Sequence, residues 1–124
     1  MRVLVCVTVQ KSCRQLIEFG ARVASEQGAG LAVLHVAGRT DNFLGNPAEG
    51  EALEELYEIS SEYGAEMTVR RASDVAGEIV AFARATEAGT IVMGQSRQSG
   101  RDIPGQLKAL LPGVDVRVLY PQAV

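Results

Sequence analysis

This 124-residue sequence predicts an α/β fold with a doubly wound, five-stranded parallel sheet, and three observations carry that expectation. Five short strand-like runs recur along the chain, most of them rich in valine, as strands buried on both faces are. Four stretches between them place apolar residues at helical spacing. The resulting order, βαβαβαβαβ, holds no internal repeat and no linker. Parallel strands joined by helices cross over with one hand, which puts helices on both faces of one sheet. The length is near the commonest domain size, so residues 1–124 are read as a single domain.

The elements follow in order. RVLVCVT, residues 2–8, is a continuous apolar run and makes the first strand, β1. From Ser12 to Gln27 the residues Cys13, Leu16, Ile17, Gly20, Ala21 and Ala24 form the inward stripe of a helix, α1, which Gly28 is placed to end. LAVLHV, residues 31–36, repeats the buried-strand signature as β2. The following AGRTDNFLGNP carries the asparagine, glycine and proline cues of a surface loop. Residues 48–63 place Ala52, Leu53, Leu56, Tyr57, Ser60 and Tyr63 on one side of a helix, α2, while six glutamates from Glu49 to Glu62 fill much of the rest. AEMTVRR, residues 65–71, alternates as a strand near a sheet edge does and makes β3. Ser73 or Asp74 caps a third helix, α3, with Val75, Ala76, Ile79, Phe82 and Ala83 inward. TIVMG, residues 90–94, is β4; a short helix, α4, turns Ile103, Leu107, Leu110 and Leu111 inward; and VDVRVLY, residues 114–120, is β5.

Composition narrows the function. Twelve basic against fifteen acidic residues give a net charge of −3, without the basic field that nonspecific nucleic-acid binding needs. The apolar start MRVLVCVTV is too short to span a bilayer and lacks the basic leader and cleavage site of a signal peptide, so no membrane insertion and a cytoplasmic location are expected. Cys6 and Cys13 have no second CxxC or histidine cluster beside them, and His35 is the single histidine; no metal site is expected. Both cysteines read as small core residues. A phosphatase-type thiolate loop would require arginine six positions after Cys6, where Ser12 stands. His35, inside an apolar run, reads as a hydrogen-bonded core or edge histidine. No nucleophile–base pair is visible, so the chain is not read as an enzyme.

In sheets of this kind the ligand crevice opens at the carboxyl ends of the strands, where the strand order reverses. Three segments then carry any chemistry. VTVQKSCR, residues 7–14, contains neither GxxxxGK[ST] nor GxGxxG. HVAGRTDN, residues 35–42, offers Arg39 and Asp41 from a loop. The third, GQSRQSGRDIPG, residues 94–105, combines Gly94 for close backbone approach with Ser96, Ser99, Arg97 and Arg101 as anion-holding groups. It leads into a helix whose Pro104 suits a first turn.

The runs RVLVCVT, LAVLHV, SDVAGEIVAFARATEAGTIVMGQSR and VDVRVLYP together resemble a universal stress protein domain over residues 2–121. IVMGQSR is the most specific fragment, and it is similar to the stress-protein domains of potassium-sensing histidine kinases and some transporters. The resemblance implies a Rossmann-like sheet in the order 3-2-1-4-5, homodimerisation through the last strand, and a role in stress response or signalling. ATP-binding members of the family carry an aspartate at the end of β1 and a GxxGxxxxxxxxxG[ST] loop after β4. Here Thr8 occupies the aspartate position, Gly94 matches the first glycine, Arg97 stands at the second, and Gly105 with Gln106 forms a shortened counterpart of the final pair. The paired serines after β1 that some kinase-linked members use for a cyclic dinucleotide are replaced by Thr8, Val9 and Gln10.

The reading is a regulatory domain with an altered pocket for ATP or another adenine nucleotide, formed by Val7, Thr8, Val9, Val36, Ala37, Gly94, Ser96, Arg97 and Gly105. In it Arg97 holds phosphate, Gly94 permits approach and Thr8 meets the ribose or base. The alternative is an interaction module without a nucleotide, in which VDVRV pairs with a second copy and the acidic α2 faces a signalling partner.

Overall fold

The computed structural model describes residues 2–7, 13–37, 47–94 and 103–119, with backbone alone at 13, 37 and 47–52. Its elements are β1 (Arg2–Val7), α1 (Cys13–Gln27), β2 (Gly30–Ala37), α2 (Pro47–Glu62), β3 (Glu66–Arg71), α3 (Val75–Thr86), β4 (Ala88–Gly94), α4 (Ile103–Leu110) and β5 (Asp115–Leu119). The strands form one parallel sheet in the order β3-β2-β1-β4-β5. That is the doubly wound arrangement expected from the alternating elements, and the order is the one the family resemblance implies.

Why the valine-rich runs end up central follows from the pleat: successive residues point to opposite faces, so a strand covered on both sides must be apolar throughout. On one face Val3, Val5, Val7, Val33 and Val92 pack with Leu16, Ile17 and Val23 of α1 and Leu56 and Ile59 of α2. On the other, Leu4, Leu34, Ile91 and Val116 pack with Ile79 and Ala83 of α3 and Leu107 of α4. Strand β4 starts two residues before the TIVMG run, because Gly89 sits at a register shift between β1 and β4 where Arg2 pairs with Ala88 and Val3 with Thr90.

The helix ends follow backbone chemistry. Gly28 ends α1 at φ +63°, as its place in the sequence predicts, with Ala29 N–H donating to the Ala24 carbonyl at 2.8 Å. Gly64 does the same after α2 at φ +69°, with Ala65 N–H on the Ser60 carbonyl at 2.8 Å. Of the two cap candidates for α3 it is Asp74 that serves, its carboxylate accepting from Gly77 N–H at 3.0 Å.

Three inward assignments are corrected. Tyr57 and Tyr63 of α2 are 62% and 37% exposed, and Ile59 is buried instead, because the stripe that covers the sheet runs through Leu53, Leu56, Ile59 and Ser60. Leu110 of α4 is 49% exposed, since Leu107 and Leu111 one turn apart already fill the contact. In α3 the part-buried Phe82 does pack against the core as the spacing predicts, under the Arg70 guanidinium at 5.8 Å, and Val80 adds a buried position. Among the described residues no helix is long and apolar enough to cross a membrane.

Candidate functional site at the carboxyl edge of the sheet

The strand order turns back between β1 and β4: the chain winds outward through β2 and β3 on one side and through β5 on the other. The helices that follow β1 and β4 lie on opposite faces, so a crevice opens beyond the carboxyl ends of these two neighbours. Register places Cys6 beside Met93, and one step further Val7 and Gly94 close the two strands together. Val7 is also the register partner of His35 on β2, while Val36 and Ala37 continue beyond it beside Arg70 and Arg71 of β3.

The predicted site residues divide accordingly. Val7 and Gly94 are brought side by side on the sheet face covered by α1. The Val7 side chain, 2% exposed, belongs to the core, so what this position lends to a crevice is backbone. Gly94 has no positive φ to explain it, and among the described residues a Cβ built there would meet Leu16 Cδ1 at 3.5 Å and both Leu16 Cδ2 and the Leu119 carbonyl at 4.0 Å. Ordinary contacts like these do not demand glycine. Val36 turns to the opposite face, against the α3–α4 core, and Ala37 is the last residue of its strand. Gly105 lies in the first turn of α4, part-buried, where Pro104 forgoes an N–H that the helix would leave unpaired anyway. Thr8, Val9, Ser96 and Arg97, together with Arg39, Asp41, Ser99 and Arg101, lie outside the described residues.

Electrostatically, α4 follows β4 and returns to the amino edge at Asp115, so its first turn and its positive dipole end point to the carboxyl edge. Arg71, exposed at the end of β3, adds a cation to the same rim. Sequence reasoning passed over it; two arginines closing an edge strand were the available signal.

His35 is 5% exposed, and its Nδ1–H donates to the Val7 carbonyl at 2.9 Å. The core-histidine reading holds, and the bond identifies its partner: a main-chain atom on the strand that ends at the crevice. Cys6 faces the α3–α4 core, where burial pushes its thiol up to about 12, far from a nucleophile's range. Among the described residues no group of three or more histidine, cysteine or acidic side chains comes together to hold a metal.

Comparison with known proteins agrees with this architecture. The model of the universal stress protein family matches residues 1–119. A KdpD-type sensor protein of Synechocystis sp. is 31% identical over 124 residues, covering 95% of this chain and 33% of its own length. The sensor protein KdpD of Mycobacterium tuberculosis is 35% identical over 98 residues, covering 79% of this chain and 11% of its own. The chain thus spans a third or less of these curated relatives. Among solved structures, the universal stress protein of Archaeoglobus fulgidus in complex with dAMP superposes with a TM-score of 0.70 at 22% identity, covering 95% of this chain and 96% of that one. A universal stress protein in complex with cAMP superposes at 0.74 with 14% identity, covering 98% of both. At those identities the likeness is one of fold. The family match over residues 1–119 settles the membership: this chain belongs to the universal stress protein family.

Proposed function

We propose that this domain is a regulatory module that binds an adenine nucleotide at the carboxyl edge of β1 and β4, in a stress-response or signalling role. The observation that carries the reading is Gly94: it stands beside Val7 at the switch point, and neither its backbone angle nor its packing among the described residues requires glycine. A bare backbone there leaves room for a ligand to approach. The dAMP and cAMP complexes of proteins with this fold support the class of ligand. The KdpD relatives support a role in signalling.

In this proposal Gly94 admits the ligand, Arg97 and Ser96 hold phosphate with the first turn of α4 at Gly105, and Thr8 and Val9 meet the ribose or base beside Val36 and Ala37. Arginine suits the task because its planar donors reach two phosphate oxygens at once. A thermal-shift screen against ATP, ADP, AMP, cAMP and cyclic dinucleotides, with and without magnesium, tests it. A ligand at 100 times its Kd stabilises the folded state by about 2.7 kcal/mol. One nucleotide is expected to shift the melt, and Arg97→Ala to abolish that shift while the unliganded melt stays in place. No shift for any nucleotide at millimolar concentration would overturn the reading.

A second reading rests on β5. This strand pairs with β4 on one side only among the described residues, leaving an outer edge free to add a strand from a second copy. Light scattering across a dilution series checks it: a dimer that Val118→Pro converts to a folded monomer supports pairing through β5, and a wild-type monomer at high concentration removes it.

A further inference from the structure

We infer that His35 is a positioning residue of the site: by holding the Val7 carbonyl it fixes the end of β1 against β2, and with it the floor on which the nucleotide rests. The inference builds on the nucleotide-binding reading above, and adds to it a residue that need not touch the ligand.

The argument begins from cost. A histidine only 5% exposed, in a strand otherwise made of glycine, leucine, valine and alanine, gives up hydration that an apolar side chain would never have had. Its Nδ1–H recovers a partner at 2.9 Å, and that partner is a carbonyl on the neighbouring strand. Either the neutral ring protonated at Nδ1 or the imidazolium makes this bond, because the carbonyl only accepts. The link joins register partners, so it acts across the strands at one level of the sheet.

The location gives the link its consequence. Val7 is the last residue of β1, the point at which a strand is freest to fray. Its side chain is sealed in the core with Leu16 and Ile17 and so cannot reach a ligand, and its carbonyl is engaged by His35. What Val7 contributes is therefore position: it sets the backbone beside Gly94, on the face that both residues share with His35. A small displacement there would move one wall of the crevice relative to the other, and binding geometry is sensitive to shifts of this size.

Two substitutions separate the bond from the bulk of the ring. In His35→Asn the amide nitrogen stands near the place of Nδ1 and can still donate, whereas His35→Phe keeps the ring volume without a donor. Two readouts are needed, amide hydrogen exchange at Val7, Val36 and Gly94 in the ligand-free protein, and ATP affinity by calorimetry. Exchange at these three amides is expected to speed up at least tenfold in His35→Phe, with amides in α3 and β5 unchanged. ATP affinity is expected to fall at least tenfold in the same variant, and His35→Asn to restore both to within about threefold of wild type. Unchanged exchange in His35→Phe, or an asparagine variant as impaired as the phenylalanine one, would overturn the inference. If the wild-type protein binds no ATP, the nucleotide reading fails alone, and exchange still decides what His35 does. Should His35→Phe not fold, His35→Gln replaces it. Its amide lies near the place of Nε2, so it is expected to lose the protection that asparagine keeps.

Discussion

Gly20, in the middle of α1, is where the helix and the sheet come closest, and replacing it tests how the face below the crevice is packed. A Cβ built on Gly20 would lie 2.2 Å from Val5 Cγ2 and 3.4 Å from Leu31 Cδ1. Carbon atoms in contact sit roughly 3.5–4.0 Å apart, so the first of these is a clash of about 1.5 Å. Val5 cannot easily yield: it is fully buried in the central strand, and a β-branched side chain has few rotamers to choose from. Overpacking of this kind costs about 1–3 kcal/mol, and the upper half of that range fits so large an overlap. Alanine in a helix interior returns about 1 kcal/mol relative to glycine. The net expectation for Gly20→Ala is a loss of about 2 kcal/mol, or a Tm lower by roughly 8 °C at this chain length. Val5→Ala alone removes two buried methyl groups and costs about 2 kcal/mol. With Val5 truncated the new methyl has room, so Gly20→Ala in that background should stabilise by about 1 kcal/mol through its helix propensity alone. A double-mutant cycle by urea unfolding should then show a coupling of about 3 kcal/mol. Single-variant losses that add to within about 0.5 kcal/mol would refute the close approach of α1 to β1 as the reason for glycine.

Other outcomes follow from particular atoms. Gly94→Ala, which meets only ordinary contacts among the described residues, should leave stability unchanged or raise it by up to about 1 kcal/mol through the unfolded chain, while weakening nucleotide binding; a destabilised protein would mean that packing, not ligand access, explains the glycine. Glu87, which ends α3 at φ +55°, holds a left-handed conformation that suits glycine, so Glu87→Gly should raise the Tm, by about 0.5–1 kcal/mol of stability; an unchanged or lower melt would argue against strain there. Cys6 has its thiol raised from 9.0 to about 12 by burial, so the folded state holds this proton more tightly than the unfolded one. Its contribution is full below about pH 9 and is lost as the pH climbs toward about 12. Urea melts in reductant at pH 8 and pH 10.5 should show a steeper loss for wild type than for Cys6→Ala, and equal slopes would refute the assignment.

Much of the fold was legible because it depends on patterns local to the chain. Apolar runs such as RVLVCV and LAVLHV mark strands covered on both faces, and Gly28 after α1 and Asp74 before α3 sit where the helix termini need them. Where neighbouring positions competed for the same packing space, the periodicity alone could not choose: Ile59 won the place given to Tyr57, and Leu107 with Leu111 left Leu110 outside. The site was legible only in part. Gly94 stands out as glycine at the end of an apolar strand, and the neighbour that gives it meaning, Val7, is 87 residues away in the chain, a proximity that sheet register creates. His35 was recognisable as a core residue, but not as the tie on the Val7 carbonyl, because a hydrogen bond between strands leaves no mark in either strand's own sequence. Which segments become strands and helices, and that helices cover both faces, follow from spacing along one chain and from the resemblance its runs carry. The register that sets Val7 beside Gly94, the packing that requires one glycine and not another, and the atom that a buried histidine holds came from the folded chain, since those depend on distances between residues far apart in the sequence.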